Sequence, residues 1–79
     1  MRKVTSTDVL GAAGSFDPPT FMSHADARII AQLANFAKAK GYNAARKSYA
    51  SRLKYMEMSS AKAMKIAYGA IFAASARAR

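Results

Sequence analysis

The sequence contains no cysteine, no tryptophan and a single histidine among its 79 residues. The absence of cysteine excludes disulfide bonds and removes the thiolates that many metal sites and covalent enzymes use. One histidine and four acidic residues form no catalytic set and no paired-carboxylate site. We therefore predict that the protein is not an enzyme and uses no metal or other cofactor.

Acidic residues are scarce, and their scarcity is uneven. Residues 28–79 contain eleven of the thirteen basic residues, against Glu57 as their one acidic residue. A positive field of this kind attracts polyanions such as nucleic acid, an acidic protein surface or an anionic membrane. A plainer interpretation is that the charge keeps an alanine-rich chain in solution.

Long hydrophobic runs are also absent. Beyond residue 27, the longest stretch without a charged residue is 66–76, whereas a membrane-spanning helix needs about 20 apolar residues. Asp8 interrupts the segment after the basic start before an apolar run of signal-peptide length develops. The sequence predicts a soluble, unprocessed protein without a membrane span, either intracellular or part of a virus particle.

Residues 1–19 show no helical periodicity. Gly11, Gly14, Pro18 and Pro19 favour loops and extended backbone. We predict an extended or flexible arm at residues 1–19, followed by a single α-helical domain at residues 20–79.

The first helix is predicted over about residues 20–40. Apolar residues recur there at helical spacing, namely Ile29, Leu33, Phe36 and Ala37. Its start is either Asp17 before Pro18, or Ser23 with Asp26 three positions later, and Gly41 is a natural stop.

A second apolar stripe begins with Ala45, Tyr49, Leu53 and Met56 and continues in phase to Ala74. One long helix over about residues 43–77 is predicted slightly ahead of two helices divided near Ser59. The fold class is therefore all-α: an extended arm followed by a helical hairpin with a long second helix, or by a small three-helix unit.

The last part of this stripe consists of small residues that let helix axes approach closely: Ala63, Ala67, Ala70 and Ala74. The strip suits packing against the first helix or against another copy of the chain. It suits docking onto a partner protein equally well, and these four alanines are the predicted protein interface.

Basic residues accompany the stripe. Those predicted to contact nucleic acid are Arg46, Lys47, Arg52, Lys54, Lys62 and Lys65. No helix-turn-helix, zinc-finger or basic-zipper spacing is present, so contact with DNA or RNA would be to phosphates and independent of sequence. Tyr42 and Tyr55 could stack on bases if exposed, whereas Tyr49 and Tyr68 lie on the stripe and are predicted to be core.

The segment Gly14-Ser15-Phe16-Asp17-Pro18-Pro19-Thr20, followed by His24, resembles the phosphate-binding signature of nucleotidyltransferases such as phosphopantetheine adenylyltransferase. The resemblance implies a close-approach role for Gly14 and a triphosphate contact for His24. However, Ser23 stands where that family has glycine, no apolar strand precedes the loop, and the remaining sequence is helical in pattern. We favour a coincidental match and predict no transferase activity.

These patterns predict a non-enzymatic structural or accessory subunit of a larger nucleic-acid-containing assembly, for example a virus particle. It would bind neighbouring proteins, or copies of itself, through apolar helix faces and offer its basic face to nucleic acid. The alternative is a free-standing, sequence-independent nucleic-acid-binding protein. Membrane-surface binding is disfavoured because the apolar face is mostly alanine and tyrosine.

Overall fold

The computed structural model describes residues 3–16, 22–56 and 59–77. Within these residues there is no strand, which confirms the all-α fold class. The helices are α1 (Ser6–Phe16), α2 (His24–Lys40), α3 (Tyr42–Ser48), α4 (Ala50–Lys54) and α5 (Ser60–Arg77).

The extended arm predicted for residues 1–19 is wrong over Ser6–Phe16, which form α1. Thr5 and Asp8 begin the helix with reciprocal hydrogen bonds: the Thr5 N–H donates to Asp8 Oδ2 at 2.9 Å, and the Asp8 N–H donates to Thr5 Oγ1 at 3.4 Å. This arrangement matches a capping box, which satisfies donors that a helix start leaves unpaired. The predicted start at Asp17 and Pro18 lies outside the described residues.

Tertiary packing explains why α1 forms despite two glycines. Val9, Ala12 and Ala13 recur at helical spacing and are almost completely buried. Each interior glycine costs about 1 kcal/mol relative to alanine, and burial of this face against α2 and α5 offsets that cost. Residues 3–16 therefore share one core with the rest of the described chain.

The backbone just before α1 is held by α2. The Val4 N–H donates to Asn35 Oδ1 at 2.9 Å, and Asn35 Nδ2 donates to the Val4 carbonyl at 3.0 Å. Val4 itself is buried. One amide side chain thus satisfies both polar groups of a buried residue that lies outside any helix.

α2 agrees closely with its prediction. Ser23 is its N-cap and accepts a hydrogen bond from the Asp26 N–H at 3.1 Å. Gly41 ends it with φ of 94°, a left-handed conformation that favours glycine, and its N–H donates to the Ala37 carbonyl at 2.8 Å.

The single long helix predicted over residues 43–77 is wrong, because the chain turns after Lys54. The α3–α4 segment runs almost continuously through Tyr49, and it then tightens where the Tyr55 N–H donates to the Arg52 carbonyl at 3.2 Å. Ser59 begins a new helix, accepting a hydrogen bond from the Lys62 N–H at 3.2 Å. A 35-residue helix would extend about 50 Å, but the largest extent of the molecule is 34 Å.

Alanine dominates the core. Eleven of the eighteen buried apolar residues in the described chain are alanine, and the largest fully buried side chains are Ile30, Leu33, Leu53, Ile66 and Val9. Small side chains allow α5 to pack closely against both α1 and α2. The core is therefore tight but contains few large side chains.

Candidate nucleic-acid interface

The predicted basic residues come from three consecutive helices. Arg46 and Lys47 lie in the last turn of α3, and Arg52 and Lys54 in the last turn of α4. Lys62 and Lys65 lie in the first two turns of α5. Lys62 is half-buried, and the other five are exposed. Five of the six side chains therefore reach solvent.

Arg52 has the most defined position of the six. Its guanidinium lies over the Tyr49 ring, 5.1 Å from the centroid, and its Nη1 donates to Gln32 Oε1 at 3.5 Å. Tyr49 in turn packs edge-on against Phe36, with centroids 5.8 Å apart. These contacts hold the planar cation on the surface between α2 and α4, with further N–H donors able to meet an anion.

The sequence contains no acidic residue between Asp26 and Glu57, and none after Glu57. Glu57 itself lies between Lys54 and Lys62. Of the described acids, Asp8 is buried at the start of α1 and Asp26 lies in the first turn of α2. The exposed surface of α3 and α4 is therefore positive without interruption by a described carboxylate. Such a surface suits contact with a chain of phosphates.

An aromatic cleft adjoins this surface, between α3 and α5. It has a volume of about 530 Å³ and is lined by Tyr42, Met64, Lys65 and Tyr68. The Tyr42 and Tyr68 ring centroids are 5.7 Å apart, and Phe72 packs edge-on against Tyr68 at 4.9 Å. We call Tyr42, Tyr68 and Phe72 the aromatic cluster.

The prediction that Tyr68 belongs to the core is wrong, because Tyr68 is 50% exposed. Phe72 is 59% exposed. Phe72 was not predicted as a site residue at all. Its position gave a signal, since at about 100° per residue it lies about 200° from Ala70, on the opposite side of α5. Tyr49 is half-buried, as is Tyr42, whereas Tyr55 is 86% exposed.

The Tyr42 hydroxyl has an unusual environment. Its oxygen is buried and has no hydrogen-bond partner among the described residues. Burial, followed by the charge of Tyr68, raises the pKa of this phenol above its ordinary value. Tyr42 therefore stays neutral at physiological pH and presents an uncharged ring to the cleft.

The alanine strip is used inside the chain. Ala63, Ala67, Ala70 and Ala74 are each at most 1% exposed. Of the uses open to this strip, internal packing is the one that the fold shows, because α1 and α2 already cover it. The strip is thus buried in the folded chain, and its use as an interface with another protein stays a prediction.

The nucleotidyltransferase-like segment falls partly in helix. Gly14, Ser15 and Phe16 form the end of α1, Asp17 to Thr20 lie outside the described residues, and His24 is the exposed first residue of α2. A helix, and no strand, precedes the segment. The strand–loop–helix context that the resemblance requires is therefore not found in residues 3–16.

Comparisons with protein-family models, with curated proteins and with solved structures find no match to this chain. In the described parts of the chain, no helix is both long enough and apolar enough to cross a membrane. The same residues contain no group of three or more His, Asp or Glu side chains placed to hold a metal ion.

Proposed function

We propose that this protein is a non-enzymatic structural or accessory subunit of a larger nucleic-acid-containing assembly, such as a virus particle. Its basic surface, formed by α3, α4 and the start of α5, contacts the phosphate backbone of DNA or RNA. The residues that make this contact are Arg46, Lys47, Arg52, Lys54, Lys62 and Lys65. Neighbouring proteins complete the burial of its remaining apolar surface.

The observation that carries the proposal is the exposure of Arg46, Lys47, Arg52 and Lys54 on α3 and α4, within residues 27–56, which contain no acidic residue. Lys65 on α5 is a fifth exposed cation. Isolated surface cations need no special explanation, since they commonly serve solubility. A run of cations without counter-charges is different, because mutual repulsion is relieved when an external polyanion binds. Released counterions then add to the affinity.

Contact with phosphates explains the geometry better than reading of bases. α3 and α4 have seven and five residues, and each carries its cations near its C-terminal end. Helices that read base edges normally insert their N-terminal residues into the major groove. The proposed binding is therefore independent of sequence and strongly dependent on salt.

The composition of the core supports a role inside an assembly. A domain of 79 residues buries a modest fraction of its surface, and most of the buried apolar residues described here are alanine. Small proteins without disulfides or metals commonly gain stability from oligomerisation or from partners. Tyr55, which is 86% exposed, leaves apolar surface that such partners can cover.

A second candidate is a free-standing, sequence-independent nucleic-acid-binding protein. The burial of Ala63, Ala67, Ala70 and Ala74 favours it, because the smooth strip expected to face neighbouring proteins is already occupied within the chain. Both candidates use the same basic surface. They differ in whether the chain forms a stoichiometric complex with other proteins.

Charge removal tests the basic surface. Replacing Arg46, Lys47 and Lys54 together with glutamine should flatten the slope of log affinity against log salt by about 2–3 units for DNA or RNA. All three side chains are exposed, so helicity and any self-association should be unchanged. Arg28→Gln with Lys40→Gln, at exposed positions of α2 outside the proposed surface, is the control; because it removes two charges and the first set removes three, effects are compared per charge. Equal effects per charge would show that only net charge matters.

Native mass separates the two candidates. A subunit of an assembly should migrate with its partners from its natural source, and nuclease treatment should change that mass without releasing a free monomer. A free-standing binder should instead become a monomer of 8.5 kDa after nuclease treatment. A nuclease-insensitive monomer that binds no nucleic acid would leave the charge with a role in solubility alone.

A further inference from the structure

We infer that the aromatic cluster and its cleft bind unpaired bases of a single-stranded nucleic acid. The bases stack on Tyr68, which lines the cleft, and on Phe72, which packs against Tyr68 beside it, while Lys65 meets an adjacent phosphate. This inference rests on the proposed function and deepens it, because it names single strands as the preferred form of the polyanion.

Two large rings on α5 are only about half covered by the rest of the chain. Tyr68 and Phe72 are one helical turn apart on α5 and lie 50% and 59% exposed, while the opposite side of the same helix is packed with alanine. Exposed apolar surface is costly, at about 25 cal/mol per Å². Two adjacent exposed rings offer such surface to a ligand.

The geometry of the rings leaves their faces open for stacking. Tyr68 and Phe72 meet edge-to-face with an interplanar angle of 68°, so their planes are nearly perpendicular and do not cover each other face to face. Tyr42 is tilted by 36° to Tyr68 and closes the cleft from α3. Every nucleobase has a flat π-face that can stack on such a ring, so this contact requires no particular sequence.

The size of the cleft also favours a nucleotide. A cleft of about 530 Å³ lined by four residues lies within the range of pockets that hold small ligands, about 300–1,000 Å³. A stable protein interface normally uses about 20–30 residues on each side. The cleft therefore fits a nucleotide better than it fits the face of a folded partner.

A positive charge lies beside the rings. Lys65 is exposed and lines the cleft next to Tyr68, and the chain carries a formal charge of +9. In a single strand each base carries its own phosphate a short distance away, so one nucleotide can satisfy a ring and a lysine together. A second copy of this chain would bring another positive surface to the cleft instead.

The test uses a fluorescently labelled 20-nucleotide oligothymidine and a 20-base-pair duplex, titrated with the full chain at the same salt concentration. Phe72→Ala and Tyr68→Ala should each weaken oligothymidine binding by roughly 5- to 100-fold, because loss of one base–aromatic stack has effects of this size. Duplex affinity should change less than about 2-fold, since paired bases are not free to stack.

Two variants serve as controls, and a third tests the lysine. Tyr55→Ala removes the most exposed tyrosine, which does not line the cleft, and measures the effect of a surface ring outside it; oligothymidine binding should weaken less than with Tyr68→Ala. Tyr68→Phe keeps the ring and should retain oligothymidine binding. Lys65→Gln should flatten the salt slope for oligothymidine by about 0.7 units, as expected for one lost phosphate contact with a single strand.

The outcomes separate this inference from the proposed function. Salt-dependent binding of both probes that is indifferent to Tyr68→Ala and Phe72→Ala overturns the stacking site and leaves the basic surface standing. Absence of binding to either probe overturns both. Binding of a labelled, glutamate-rich amphipathic 20-residue peptide that Phe72→Ala abolishes, without an effect on oligothymidine, would assign the cleft to a protein partner and overturn the inference. Circular dichroism of each variant verifies that helicity is intact.

Discussion

The two sides of α5 reverse the usual distribution of residue sizes. Its buried side consists largely of alanine, at Ala63, Ala67, Ala70 and Ala74, with Ile66 as the one large side chain that is fully buried. Its outer side holds Tyr68 and Phe72, which are about half exposed. Burial of large side chains generally stabilises a small domain most. The contrast indicates that close approach of helices determines which residues occupy the inner side. Packing within this chain does not explain why the outer side holds two large rings.

Changes on the inner side should therefore alter mainly stability, whereas changes on the outer side should alter mainly binding.

Enlarging the inner side should have the largest effect. Ala70→Leu should lower the free energy of unfolding by about 1–3 kcal/mol, because its added methyl groups meet helices packed at alanine distance. For a chain of this size, that corresponds to a fall in Tm of about 4–8 °C for each kcal/mol. Ala73→Leu, on the exposed side of the same helix, is the control and should change little. Similar losses for both, measured by urea denaturation, would contradict the inner packing.

Loosening the helix that covers the inner side should have the next largest effect. Asn35→Ala removes both hydrogen bonds to Val4 and leaves two buried backbone groups unpaired, so it should cost about 1–3 kcal/mol. Asn35→Asp keeps the acceptor for the Val4 N–H and should fall in between. Asn43→Ala, at an exposed position, is the control. Equal stability of all three variants would mean that α1 is not held in this way.

Strengthening α1 should give a smaller change of opposite sign. Gly11→Ala should raise the free energy of unfolding by about 0.5–1 kcal/mol, because position 11 is exposed and helical and, apart from its chain neighbours and the nearby backbone of α1, no atom lies within 4 Å of the added Cβ. The same substitution at Gly41 should be destabilising, since its φ is 94°. If residues 3–16 formed an arm in solution, Gly11→Ala would leave the midpoint of denaturation unchanged.

Tyr42 joins the core to the outer side, and its replacement should have the smallest effect. Tyr42→Phe removes a buried hydroxyl without a partner among the described residues, so stability at pH 7 should stay equal or rise by up to about 1 kcal/mol.

The raised pKa of Tyr42 adds a dependence on pH. The unfolded phenol ionises first as pH rises, so the stability linked to this group is present below about pH 10 and is lost as pH rises through the higher pKa of the folded state. The phenylalanine variant should therefore lose less stability than the wild-type chain between pH 7 and pH 11. Identical losses would show that this phenol titrates alike in both states.

The parts of the fold that the sequence predicted are those governed by local signals. Ser23 and Gly41 bound α2 because a cap and a left-handed glycine act within a few residues. Ala45 and Leu53 are buried as their spacing predicts, because the α3–α4 segment stays nearly helical through Tyr49.

The parts that the sequence did not predict depend on tertiary contacts. Gly11 and Gly14 disfavour a helix locally, and only the burial of Val9, Ala12 and Ala13 against other helices reverses that preference. Thr5 with Asp8 was the local signal for α1. The turn after Lys54 is similar, since an unbroken helix would leave the alanines of α5 without cover. Whether an aromatic residue on a helix is covered likewise depends on its neighbours, as Tyr68 shows.

The central claim, that the basic surface of α3, α4 and α5 contacts phosphates, is tested most directly by the salt dependence of binding by the unmodified chain. Affinity for two duplexes of unrelated sequence should be measured between about 50 and 200 mM salt. If all six proposed residues make contact, log affinity should fall with log salt with a slope near −5 and be alike for both duplexes. Absence of binding at 50 mM salt, or a slope near zero, would contradict the account.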